Sequence, residues 1–163
     1  PPGAKAEGAP CAGAADLQGG YVFLCTAATQ PECERLGLLG APEAELERLG
    51  RCAEPGTVLF LFNVSSLTLL GPLVAVGRPG RAMVPAAFGG RFPAQVRAAA
   101  RPGGPFQAKL AAKLRSGQKS AEETTELLAQ LRAGGAAPEQ ARAAWRQAVP
   151  TAQRAAVAPQ AAA

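Results

Sequence analysis

The stretch Phe88-Gly89-Gly90-Arg91-Phe92-Pro93-Ala94-Gln95-Val96-Arg97 restricts the possible folds more than any other part of this chain. Two glycines between two phenylalanines permit a tight turn with an apolar anchor on each side. Pro93 then sets the start of a strand in which Ala94 and Val96 alternate with Gln95 and Arg97. Alternation at period two buries one face and leaves the other polar. That structural account is preferred; the functional alternative has Gln95 and Arg97 presenting a recognition face beside Arg91.

The rest of the chain supplies partners for such a strand. Tyr21-Val22-Phe23-Leu24-Cys25 follows Gly19-Gly20 and reads as a buried strand. A short helix opens at Thr29 or Gln30, with Pro31 in its first turn, and ends near Gly37. A second helix is expected from Pro42, with Leu46 and Leu49 inward. After the Pro55-Gly56 turn, Thr57 to Phe62 and Leu67 to Gly77 form an antiparallel pair, with Pro72 at an edge or bulge. Phe106 to Leu114 is expected to be helical, since Phe106, Leu110 and Leu114 recur every four residues. Ser120 and Glu123 have capping-box spacing before a last helix that carries Leu127, Leu128 and Leu131 inward and stops at Gly134-Gly135.

Large apolar side chains concentrate between Tyr21 and Leu131. This gives one domain over residues 18–132, a flexible segment over 1–17, and an Ala-rich tail over 133–163 that is disordered or holds a short helix around Trp145. Such ends bury too little surface to offset chain entropy. The chain opens on Pro1 without a Met, so a fragment or a trimmed product is expected. No apolar run reaches the ~20 residues of a membrane span, and an intracellular location, cytoplasmic or nuclear, is expected.

Charge is uneven along the chain. Glu residues crowd the part before Glu54, and between Glu54 and Glu122 there is no acid at all. That interval carries Arg78, Arg81, Arg91, Arg97, Arg101, Lys109, Lys113, Arg115 and Lys119. If they share a face, it would attract phosphate or acidic protein; otherwise they are a solvated basic surface.

Catalysis finds little material here. The chain has no His, hence no usual general base and no Ser-His or Cys-His pair. Its four cysteines, Cys11, Cys25, Cys33 and Cys52, contain no C-x-x-C pair. Cys25, Cys33 and Cys52 are read as reduced, buried thiols, with redox sensing as a lesser alternative. No cofactor or metal is expected, and neither Gly-Gly pair has the form of a phosphate loop. Asn63-Val64-Ser65 matches a glycosylation sequon by coincidence.

In order along the chain, Leu39-Gly40-Ala41-Pro42, Leu59-Phe60-Leu61 and Pro93-Ala94-Gln95-Val96 resemble the FGLP-like turn, LFL strand and PAQV segment of the plant DCD (development and cell death) domain. Tyr21 to Cys25 followed by Pro31-Glu32-Cys33 is similar to that family's opening. Leu39 and Ala41 replace the family's Phe and Leu, and Pro105-Phe106-Gln107-Ala108 lacks the acid of its PLxE segment. A more local resemblance, from Pro55-Gly56 through Val64 and then Leu70-Gly71, is to the PUA-like superfamily with its YTH and EVE members.

The expected fold is α+β: a small mixed, curved sheet or barrel of PUA-like type, flanked by helices. The resemblance implies a non-enzymatic module of plants or green algae, tied to stress response, development and programmed cell death. It would act on an unidentified protein partner through the surface of Arg78, Arg81, Arg91, Gln95, Arg97, Arg101, Lys109 and Lys113. The alternative is an RNA-binding module using the same surface. A methyl-base cage is disfavoured, because no Trp lies within residues 18–132.

Overall fold

The computed structural model describes residues 17–101 and 103–146. Its centre is Thr57–Asn63 (β3), buried from Val58 onward. This strand runs parallel to Gly19–Cys25 (β1), from Gly19 opposite Thr57 to Cys25 opposite Asn63. Successive side chains of both strands enter two different cores. Tyr21, Phe23, Leu59 and Leu61 belong to the first; Val22, Val58, Phe60 and Phe62 belong to the second. A strand buried on both faces has no polar alternation to show, as its sequence indicates.

Parallel pairing requires a crossover, and residues 26–56 provide it. Gln30–Leu36 (α1) ends on Gly37, whose φ of 63° is left-handed. Leu38–Ala41 (β2) follows, then two 3-10 turns, Glu43–Glu45 and Arg48–Ala53. These turns replace the regular helix expected from Pro42. Gly50 weakens helix propensity, and the short span to Pro55 leaves no room for propagation. The facing was nevertheless as expected, with Leu49 buried and Leu46 packed on the first core.

Thr68–Ala75 (β4) pairs antiparallel with β3, and the register slips between Leu59 and Leu61. Gly71 and Pro72 together oppose Phe60, as in a β-bulge. The extra residue resets side-chain parity, so Leu70 and Leu73 both point into the first core. Pro72, which has no amide donor, occupies the bulge, one of the two places the sequence left open to it.

Ala94–Ala100 (β6) pairs with β4 and β2, and Gly80–Arg81 (β5) pairs with the start of β6. Phe106–Lys109 (β7) takes the part of β4 that β6 leaves free, with Gly71 opposite Phe106 and Thr68 opposite Lys109. Here the expected helix from Phe106 to Leu114 is corrected. A four-residue spacing is shared by a helix face and one side of a strand. Phe106, Leu110 and Leu114 do pack on one core, the second, but from extended chain. Gly117–Lys119 (β8) closes the run against β1. Among the described residues eight strands form one mixed, curled sheet in the order β2-β6-β4-β3-β1-β8, with β5 and β7 beside it.

Ala121–Gly134 (α2) covers the second core with Leu127 and Leu131, and Ser120 and Glu123 form the expected capping box. Residues 139–146 form a further helix, α3. The sequence reading put Trp145 outside the domain; the structure buries it completely in the first core, alongside Ala137 and Ala141. Local composition could not show this, because one large ring among alanines looks isolated until its partners arrive from the sheet. No helix among the described residues is long and apolar enough to cross a membrane. The expected flexible ends, apart from residue 17 and residues 133–146, lie outside the described residues.

Trp145→Ala should therefore destabilise the fold by roughly 3–5 kcal/mol, the usual cost of emptying a buried aromatic site. Trp145 Nε1 has no acceptor among the described residues, so Trp145→Phe removes an unsatisfied donor and should cost distinctly less. Urea unfolding followed by circular dichroism separates the two variants, and equal losses would contradict this packing.

Candidate functional site

The sequence motifs meet in space. β2 lies against the start of β6, with Leu39 opposite Val96, Gly40 opposite Gln95 and Ala41 opposite Ala94. Leu39, Ala94 and Val96 enter the first core. A Cβ on Gly40 would stand 2.7 Å from the Phe88 ring and 3.1 Å from Phe92 Cβ. Glycine is what allows both rings to lie over β2. The rings meet edge to face with centroids 6.0 Å apart.

The turn before β6 is held from two sides. Phe88 and Gly89 are both left-handed, with φ of 57° and 65°. For Phe88 that conformation is costly, and its N–H donates to the Glu32 carboxylate of α1 at 3.0 Å. From below, Gln95 Oε1 accepts the Val84 N–H at 2.8 Å, while Nε2 donates to the carbonyls of Val84 at 3.2 Å and Phe92 at 3.1 Å. Gln95 is 1 % exposed. Its expected place on a recognition face is thereby corrected: a side chain on the outward side of β6 is roofed by the loop it braces.

Two of the expected surface cations are already bonded within the protein. Arg81 donates from Nε and Nη2 to the Glu43 carboxylate at 2.8 and 3.1 Å, which holds Glu43 below the usual carboxylate range through that hydrogen bond and the guanidinium charge. Half-buried Arg97 donates to the Leu36 carbonyl at 3.2 Å, at the C-terminal end of α1. Arg101 is also half-buried, whereas Arg78 and Arg91 are exposed near β5 and the motif turn. Lys109, exposed, lies opposite Thr68 at the other end of β4, and Lys113 and Arg115 are exposed on the segment that follows it.

These last three belong to one feature. Residues 109–119 run as a strap from β7 to β8. It is tied down by the Leu110 N–H to the Leu67 carbonyl at 2.8 Å and by Leu110 and Leu114 on the second core. Among the described residues, none of Lys109, Lys113 and Arg115 makes an ion pair. Lys119 instead shares an open groove with Leu114 and with Glu122, Glu123 and Glu126 of α2. Arg115 and Lys119 were left out of the expected binding surface, although the acid-free run already contained them.

A family model described as the development and cell death domain matches residues 19–117. The chain belongs to the development and cell death domain family. Among solved structures, this DCD domain is similar to an Mmi1 YTH domain in complex with RNA, at a TM-score of 0.56 and 11% identity over 76% of this chain and 86% of that one. Another structure of the Mmi1 YTH domain gives 0.54 and 11% over 72% and 77%. At that identity the likeness is one of fold. No curated protein matches the chain in sequence.

Three further groups of the DCD domain settle into structural roles. Cys25, Cys33 and Cys52 are free thiols buried in the first core. Burial pushes all three up, Cys33 to about 12 with help from the charges of Glu32 and Glu34, and Cys52 to about 12. A protonated buried thiol is a poor nucleophile. Asn63 of the sequon donates from Nδ2 to Gln30 Oε1 at 2.6 Å and accepts the Ser65 and Ser66 N–H groups. Among the described residues no group of three or more His, Cys, Asp and Glu is placed to hold a metal ion. Every aromatic ring of the chain, Trp145 included, sits in or against one of the two cores.

Two outcomes follow from this geometry. Gln95→Ala should cost about 1–3 kcal/mol by stranding three backbone groups. Gln95→Glu should be worse at neutral pH, where a carboxylate would face two carbonyls, and should recover as pH falls toward ~4.3 and the side chain regains a donor; urea midpoints at two pH values test both. For the thiols, the folded value is raised above the usual 9.0, so their contribution is intact below pH 9 and lost as pH rises toward 12. In a Cys11→Ser chain, DTNB should react with the remaining cysteines at neutral pH only after denaturation, and rapid labelling of the native protein would contradict the burial.

Proposed function

We propose that this DCD domain is a non-catalytic binding module that holds RNA by its phosphate backbone through the strap of residues 109–119. The observation that carries this reading is the set Lys109, Lys113 and Arg115, exposed and without ion pairs among the described residues, on a segment that leucines pin to the core. A pinned segment loses little further entropy on binding, so its cations are pre-organised. With every ring in a core, there is no platform on which bases would stack. Contact with phosphates, tolerant of sequence, is what these side chains suit. The similar fold solved with RNA supports the same partner class.

The role of such binding would lie within the development and cell death that the family's description names, and within the stress response that the resemblance of the motifs implies. The same cations suit an acidic protein segment, which is the reading to adopt if RNA fails. Arg78 and Arg91 form a separate, lesser group beside the motif turn.

Binding of a fluorescein-labelled oligouridine, followed by polarisation, tests this directly. Three single-strand phosphate contacts at ~0.7 counterion each predict a slope of log affinity on log salt near −2. Lys113→Glu with Arg115→Glu should weaken binding more than tenfold, while Arg91→Glu should change it little. Salt-insensitive binding, or a larger loss from Arg91→Glu, would place the interface elsewhere.

A further inference from the structure

The strap contains a serine unlike the others in the chain. Ser65 Oγ accepts the Ala27 N–H, Ser66 Oγ donates to Thr68, and Ser120 Oγ caps α2. Ser116 is exposed, and its hydroxyl makes no hydrogen bond among the described residues. Residues 113–116 have no regular secondary structure and lead into the short edge strand β8. Lys113 stands three residues before Ser116, Arg115 one before and Lys119 three after.

We propose that Ser116 is a phosphorylation site for a protein kinase selective for basic residues around its acceptor, and that phosphorylation releases RNA from the strap. An exposed, irregular segment fits an extended substrate groove, and its cations match the charge pattern by which such kinases choose substrates. In the transfer, Ser116 Oγ bonds to the γ-phosphorus of ATP as the bond to the β–γ bridging oxygen breaks. ADP leaves, and the hydroxyl proton passes to the kinase's catalytic carboxylate. The product brings a charge of about −1.5 to −2 and three acceptor oxygens beside Lys113 and Arg115. Intramolecular pairing then takes up the groups that would hold phosphates of the RNA. Lys119 already shares a groove with Glu122 and Glu123, so the strap would turn from a cationic to a mixed surface.

This inference rests on the RNA reading, and the test separates the two. The full chain and its Ser116→Ala variant are treated with a basic-directed kinase and ATP, mapped by mass spectrometry, and titrated with labelled oligouridine near 0.15 M salt. One phosphate is expected at Ser116 and none there in the variant. Removing about two contacts at ~0.7 counterion each weakens affinity about tenfold in the phosphorylated chain. Ser116→Ala should bind as the unmodified chain does, before and after treatment. Phosphate found elsewhere with Ser116 untouched overturns the site, and undiminished binding by the phosphorylated chain overturns the switch. An unmodified chain that fails to bind oligouridine overturns the RNA reading itself, whereas the mapping still decides Ser116.

Discussion

Burial of β3 on both faces is the constraint from which the rest of the structure follows. A strand packed on two sides needs two cores, and a chain of this size fills both only by curling its sheet. The parallel alignment with β1 forces the crossover that carries α1 and β2 to the far edge. Close contact is required where the two strands meet α2. A Cβ on Gly20 would fall 2.7 Å from Thr124 Oγ1 and 2.9 Å from the Val58 carbonyl. The bulge at Gly71-Pro72 is the counterpart on β4, since without it Leu70 and Leu73 would face opposite cores.

The family motif reads differently once it is folded. Its FGLP-like and PAQV segments are distant in sequence and adjacent in space, joined by the β2–β6 ladder, the Phe88–Phe92 pair over Gly40 and the buried amide of Gln95. Each of these is a packing or hydrogen-bonding requirement that this fold imposes on itself. Motif residues are thus the means by which a left-handed turn is kept in place.

Much of the local structure was legible. Gly37, the capping box at Ser120, the buried strands β1 and β3 and the bulge at Pro72 all carry signals in the residues themselves. The misreadings share a cause. Phe106, Leu110 and Leu114 keep a spacing that strand and helix both satisfy, and only the vacant edge of β4 chose between them. Gln95 looked outward because period two says only which side of β6 it occupies, not that the loop just before β6 folds back over that side.

The sequence by itself determined the α+β class, the family, the strand alternation, the breakers and caps, and the lack of any histidine for catalysis. Tertiary structure alone decided that Trp145 joins the core, that Gln95 is a brace, that Arg81 and Arg97 are engaged by Glu43 and Leu36, and that Lys109, Lys113 and Arg115 make no ion pair among the described residues. The division has a physical reason. Backbone propensity and side-chain period act between near neighbours, whereas burial and pairing depend on groups that only the completed chain path brings within reach.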